Sequence, residues 1–194
     1  MSDKSKNKKW VALVDAAQQL FWKYGFKKVT VEEICREAGS SKMTFYKFFG
    51  NKQEIAKTVF DRVVERNVAQ FKDLVETASD ASDLMQQMMQ MKKDGIHEIS
   101  KEFLADFYAN PELGLKDYID QKTAEVWNEM LIDFKLLQQK GLIRKDMKIE
   151  FFLYFTRKYT DLITDPYLLQ LYDNPEDLVM EITNFSAYGI SPRK

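Results

Sequence analysis

The chain has 194 residues, 45% of them hydrophobic and 30% charged, with a formal net charge of −1 and one cysteine. That size holds one domain, or a small domain with a larger one, and a lone Cys35 excludes an intrachain disulfide. No apolar run approaches the ~18–20 residues that span a bilayer, and four prolines, seven glycines and no long β-branched alternation point to an all-α fold.

Residues 1–8 are polar and Lys-rich and read as a disordered basic arm. From Lys9 to about Tyr24 the apolar positions Trp10, Leu13, Val14, Ala17, Leu20, Phe21 and Tyr24 recur at i, i+3, i+4, i+7, one face of a helix that Gly25 ends. Thr30 with Glu33 three residues on is a capping box, in which each side chain meets the other's free backbone N–H. The helix it opens turns Val31, Ile34 and Ala38 inward and stops at Gly39. Ser40 or Ser41 caps the next helix, which ends near Phe49 with Phe45 and Phe49 facing in. Gly50–Asn51 form a second turn, and Asn51 with Glu54 repeats the capping pattern.

A long amphipathic helix is predicted from Gln53 to about Ala78, joining this head to the rest. SDASD (79–83) breaks it, and a methionine-rich segment follows, Leu84 to Lys93, interrupted near Gly95. Helix is predicted again over Ile96–Ala109, Gly114–Lys140, Ile149–Ile163 and from Asn174–Pro175 to about Tyr188, nine or ten helices in all. The expected division is 1–52 as a basic arm with a helix-turn-helix head, and 53–194 as a larger helical bundle. Charge follows that division. Residues 1–52 hold eleven Lys/Arg against five Asp/Glu, a balance of +6, and residues 53–194 a balance of −7. A basic head on an acidic body points to a polyanion meeting the head alone.

Catalytic constellations are missing. His97 is the sole histidine, so no site with two His ligands can form within one chain, and no phosphate-binding or nucleophile-elbow glycine motif occurs. No enzyme activity, metal or cofactor is expected. Cys35 in a reducing compartment, and a Lys-rich N-terminus with no apolar stretch behind it, give a cytoplasmic expectation without membrane association.

Residues 10–57, through AAQQLFWKYGFKKVTVEEICREAGSSKMTFYKFFGNKQEI, resemble the DNA-binding domain of the TetR family of prokaryotic transcriptional regulators. The resemblance rests on the aromatic–Gly step, a Thr opening helix two, Ile–x–x–x–Ala–Gly, Thr–x–Tyr–x–x–Phe, and a Lys opening helix four. It implies that Thr30 bonds a phosphate at its helix start, and that Tyr46 meets the DNA backbone. Thr44 and Lys47 would touch phosphate or base edges, with Ser41 and Lys42 near the recognition helix N-terminus and Lys52 on phosphate. Three positions depart from the pattern. Met43 stands where a small residue is common, so a base contact there would be apolar; Phe48 replaces a frequent Tyr or His; Ser40 replaces an apolar turn residue.

The resemblance further implies a homodimer on a pseudo-palindromic double-stranded operator, released by a small, largely apolar or aromatic effector. Expected effector-lining residues are Met88, Met91, Phe103, Phe107, Trp127, Met130 and Phe134, although the same spacing suits plain core. The last two long helices would form the dimer interface through Phe152, Phe155, Tyr159, Leu178, Ile182 and Phe185. The competing expectation is a helical small-molecule or protein-binding module whose head has lost DNA affinity.

Overall fold

The computed structural model describes residues 7–192, so most of the basic arm lies outside the described residues. Every described element is helical, as the composition predicts. The chain packs as two compact units, one of residues up to Val64 with Glu98–Ile119, the other of Glu65–His97 with residues 120 onward. The unit that carries the head therefore extends beyond residue 52 and takes in a segment from the middle of the chain.

In the first unit α1 (Lys8–Lys28), α2 (Val31–Glu37), α3 (Lys42–Phe48) and the start of α4 (Lys52–Thr77) surround Leu13, Val14, Phe21, Ile34, Phe45, Ile55 and Val59. Thr30 and Ser41 cap α2 and α3 through their hydroxyls, which settles the second cap on Ser41. Phe45 is fully buried, and hiding a ring of that size from water stabilises the packing of α3 by roughly 2–3 kcal/mol.

Helix α1 breaks at Gly25, where φ is 78° and ψ 169°. Long-range partners meet the backbone there. The Trp22 carbonyl accepts from both the N–H and the hydroxyl of Ser100, each at 2.9 Å. The Lys27 N–H donates to the buried Asp106 carboxylate at 2.8 Å. Both partners belong to the segment around α6 (Lys101–Leu104), which continues as a π-helical turn over Ala105–Ala109. The wide turn brings the consecutive residues Asp106 and Phe107 both inward. Phe21, Trp22, Phe26, Phe103 and Phe107 then form one aromatic cluster, with Trp22 and Phe103 centroids 4.3 Å apart.

The continuous helix predicted over Ile96–Ala109 is not formed. Residues 96–100 are non-helical, with Glu98 at φ 61°, because Ile96 and Ile99 are buried in the turn and Ser100 starts a new helix as its cap.

The second unit is built from the rest of α4, α5 (Ala81–Gly95), most of α7 (Lys116–Gln139), α8 (Ile149–Thr156), α9 (Tyr159–Ile163), α10 (Pro166–Gln170) and α11 (Pro175–Ile190). Its core gathers Phe71, Leu74, Leu84, Phe134, Leu137, Phe152 and Ile190, with Met85, Met88, Met91, Trp127 and Met130 packed against it. The single helix predicted over Ile149–Ile163 divides at Arg157–Lys158. The Thr156 hydroxyl turns back to the Leu153 carbonyl, and the Lys158 N–H bonds the Phe155 carbonyl three residues earlier, which tightens the chain out of α-geometry. After α9 ends, Asp165–Pro166 opens α10, capped by the Asp165 carboxylate.

Candidate nucleic-acid interface

Helices α2 and α3 meet at the tight turn of Gly39, whose φ of 55° favours glycine, and the Lys9 ammonium holds the Gly39 carbonyl at 3.0 Å. With Phe45 and Phe49 buried beneath it, α3 presents the opposite side to solvent. Met43 is 70% and Tyr46 56% exposed, and Lys42 and Lys47 are exposed beside them. Tyr46 stands edge-on to Phe45 at 5.3 Å, which fixes its ring direction while leaving its hydroxyl outward. A short helix with an apolar underside and an aromatic, basic upper side suits a major groove.

Several candidate residues already have partners within the head. The Thr30 N–H and hydroxyl both donate to the Glu33 carboxylate, at 2.8 and 2.9 Å, and these bonds hold the Glu33 pKa below the usual carboxylate range. Lys42 pairs with Glu32, an exposed ion pair that raises the lysine pKa and lowers the glutamate. Ser41 and Thr44 hydroxyls bond each other at 3.0 Å. Lys52 does not point outward. Its ammonium donates to the carbonyls of Phe26 and Val29, at 2.8 and 2.7 Å. The Thr30 and Ser41 partners lie three residues along the chain, within reach of sequence spacing, whereas those of Lys42 and Lys52 lie in neighbouring helices and loops that spacing does not show.

The Ser40 N–H bonds the Cys35 carbonyl at 2.8 Å, but its hydroxyl is buried without a hydrogen-bond partner. An unsatisfied buried hydroxyl costs about 1–3 kcal/mol. Ser40→Ala is therefore expected to raise stability by about 1 kcal/mol, read as a higher urea midpoint at unchanged slope. A lower midpoint would mean that the hydroxyl is satisfied.

The residues expected to line an effector site fall in two places. Phe103 and Phe107 belong to the aromatic cluster of the first unit. Met88, Met91, Trp127 and Met130 pack against the core of the second, and Phe134 lies within it. The structure does not bring all seven into one compact unit.

Of the residues expected at a dimer interface, Phe152 and Leu178 are buried inside their own chain, and Tyr159 and Ile182 are half-buried. The Tyr159 hydroxyl bonds that of Ser186, and burial pushes its pKa up to about 12. Phe155 and Phe185 are exposed. They are joined by Phe151, Tyr154 and Tyr188, which the sequence reading leaves out. An open groove of about 430 Å³ between α8 and α11 is floored by Phe151, Phe152, Phe155 and Phe185.

Among the described residues no helix is long and apolar enough to cross a membrane, and no group of three or more His, Cys, Asp or Glu is placed to hold a metal ion. Fold and site define a helical protein with a helix-turn-helix head. Residues 13–59 match the family described as "Bacterial regulatory proteins, tetR family". Over 58 residues the chain is 31% identical to the HTH-type transcriptional repressor ComR of Escherichia coli (strain K12), covering 30% of this chain and 28% of that one. The chain thus spans under a third of the length of the curated relatives it matches.

The fold extends the likeness over nearly the whole molecule. The fatty acid degradation regulator FadR from Bacillus halodurans superimposes with a TM-score of 0.69 at 20% identity, covering 95% of this chain and 97% of that one. FadR from Bacillus subtilis, solved in complex with stearoyl-CoA, gives 0.65 at 17% identity over 93% and 99%. Residues 13–59 thus carry the likeness to the tetR family, and the chain as a whole shares the fold of these solved structures.

Proposed function

We propose that the protein is a homodimeric, ligand-responsive repressor that binds a pseudo-palindromic operator through α3. The observation that carries this reading is the outward side of α3, where Met43, Tyr46 and Lys47 stand free over a buried Phe45–Phe49 underside, within the stretch that matches the family. Lys47 supplies charge to the phosphate backbone, Tyr46 a hydroxyl, and Met43 an apolar contact of the kind a thymine methyl accepts. Thr30 and Lys42 reach phosphate only by exchanging their present carboxylate partners for it.

For the effector, a long-chain acyl thioester is the first compound to try. Support comes from the stearoyl-CoA named with the Bacillus subtilis FadR structure and from the methionine- and aromatic-rich interior of the second unit. Induction requires that this ligand bind the DNA-competent and DNA-incompetent states unequally.

The test is a salt titration of binding to the DNA beside the protein's own gene, against a random duplex. Operator affinity is expected to fall steeply with salt, and Lys47→Ala to weaken binding and reduce the log–log slope by about 0.9. Tyr46→Phe should have a milder effect. If no duplex is bound more tightly than random sequence at low salt, the regulator reading fails, and the pairing of Thr30 and Lys42 with glutamates favours a binding module without DNA affinity.

A further inference from the structure

We propose that Lys52 is a positioning residue that ties together the two ends of the helix-turn-helix, and not a phosphate ligand; this rests on the DNA-binding reading above. Its ammonium donates to the Phe26 carbonyl at 2.8 Å and the Val29 carbonyl at 2.7 Å, with the Lys27 carbonyl at 3.5 Å. It also lies 4.2 Å from the centre of the Phe26 ring. An ammonium has three donors, and here all are directed at the link between α1 and α2. Burial pushes its pKa down, as expected for a cation withdrawn from water. Turning to a phosphate would strand two part-buried carbonyls.

The placement in the chain gives the contact its purpose. Val29 immediately precedes Thr30, the cap of α2, and Lys52 is the first residue of α4, just after the turn that ends α3. The clamp therefore closes residues 30–51 into a loop that holds both α2 and α3. The turn at its far end is stiff. The Gly50 N–H donates to the Glu54 carboxylate at 2.8 Å, and Asn51 accepts from the Glu54 N–H at 2.9 Å. With both ends of the loop joined, α3 has one orientation on α1, and a reading helix needs a single orientation to distinguish one base sequence from another.

Lys52→Met keeps the aliphatic stem and removes the donors. Lys52→Arg keeps the charge, but its flat fork does not reproduce the ammonium's donor directions. Both are measured on operator and random duplex across a salt series, at a temperature where circular dichroism shows the fold retained, with Lys47→Ala as the phosphate reference. Operator affinity is expected to fall about tenfold in both, while random-duplex affinity and its salt slope stay at wild-type values. Amide hydrogen exchange in α2 and α3 should accelerate. General destabilisation would lower binding to both duplexes together and leave their ratio unchanged.

The proposal is overturned if Lys52→Met loses about 0.9 of slope on both duplexes and Lys52→Arg restores it, the behaviour of a phosphate contact. Unchanged operator affinity with unchanged exchange overturns it equally. If Lys52→Met does not fold, the Arg variant carries the test. If the wild-type protein prefers no duplex, the regulator reading has failed, and exchange in α2 and α3 alone decides the clamp.

Discussion

Gly25→Ala is expected to destabilise the first unit by about 3 kcal/mol or more, lowering the melting temperature by about 6–12 °C. Two effects act at this one position. A φ of 78° with ψ near 169° is a conformation that costs any L side chain about 1–3 kcal/mol. An added Cβ would also lie 2.8 Å from an Asp106 carboxylate oxygen and 2.9 Å from the Glu102 Cβ, with Glu102 backbone at 3.0 Å. To make room, Asp106 must release the Lys27 N–H or α1 must move off α6, and both expose the aromatic cluster around Trp22. Gly39→Ala is the control. Its φ is also positive, but no atom lies within 4 Å of the added Cβ, so strain of about 1–2 kcal/mol is the whole expected effect. Thermal melts of the two variants measure the difference, and equal shifts would mean that close packing at Gly25 contributes nothing.

Phe185→Glu is expected to convert a dimer into a folded monomer, read by sedimentation velocity as a halved mass with unchanged circular dichroism. Phe185 is 73% and Tyr188 81% exposed on α11, and Phe151 is 65% exposed on α8, so these rings face water in the isolated chain. Because Phe185 makes little contact within its own chain, a carboxylate there leaves the fold intact. Facing a second copy, the same carboxylate would be buried without a partner, which association does not tolerate. Operator affinity should fall by about 10²-fold or more, since two half-sites would no longer be bound as one tethered pair. A variant that stays dimeric, or a wild-type protein that is monomeric at working concentrations, would remove this face from the proposed interface.

Much of the head is legible in the sequence because its signals are local. Thr30 with Glu33 and Asn51 with Glu54 each declare a helix start. Both bonds of the first box form. Asn51 accepts from the Glu54 N–H, although the Glu54 carboxylate takes the Gly50 N–H and not that of Asn51. In the second unit Asn174 before Pro175 caps α11 in the same local way. Alternation of buried and exposed positions in α3 is equally local, which is why Phe45 and Phe49 are separated correctly from Met43, Tyr46 and Lys47. What escapes the sequence depends on distant partners. Ser100 begins a helix in the middle of a segment whose spacing predicts one continuous helix, because its hydroxyl is held by a carbonyl 78 residues earlier. Lys52 occupies the place where the family resemblance implies a phosphate ligand, but its surroundings are carbonyls at the end of α1. In α8 nearly every residue is apolar, so periodicity carries no phase. Phe152 and Leu153 face inward while Phe151, Tyr154 and Phe155 face out, a choice made by the packing of Phe152 on Phe134.

The aromatic cluster at the α1 break has a spectroscopic consequence. Its Trp22 is one of three tryptophans in separate settings. Trp10 lies 6.3 Å from Phe49 at the end of α3, Trp22 packs on Phe103, and Trp127 lies 6.4 Å from Phe134 in the second unit. Versions of the chain that keep a single indole would give a native fluorophore for each region. On the proposed reading, operator titrations would be followed at Trp10, titrations of a ligand in the second unit at Trp127, and any loosening of α1 from α6 at Trp22, without attaching a dye to a protein whose one cysteine is buried.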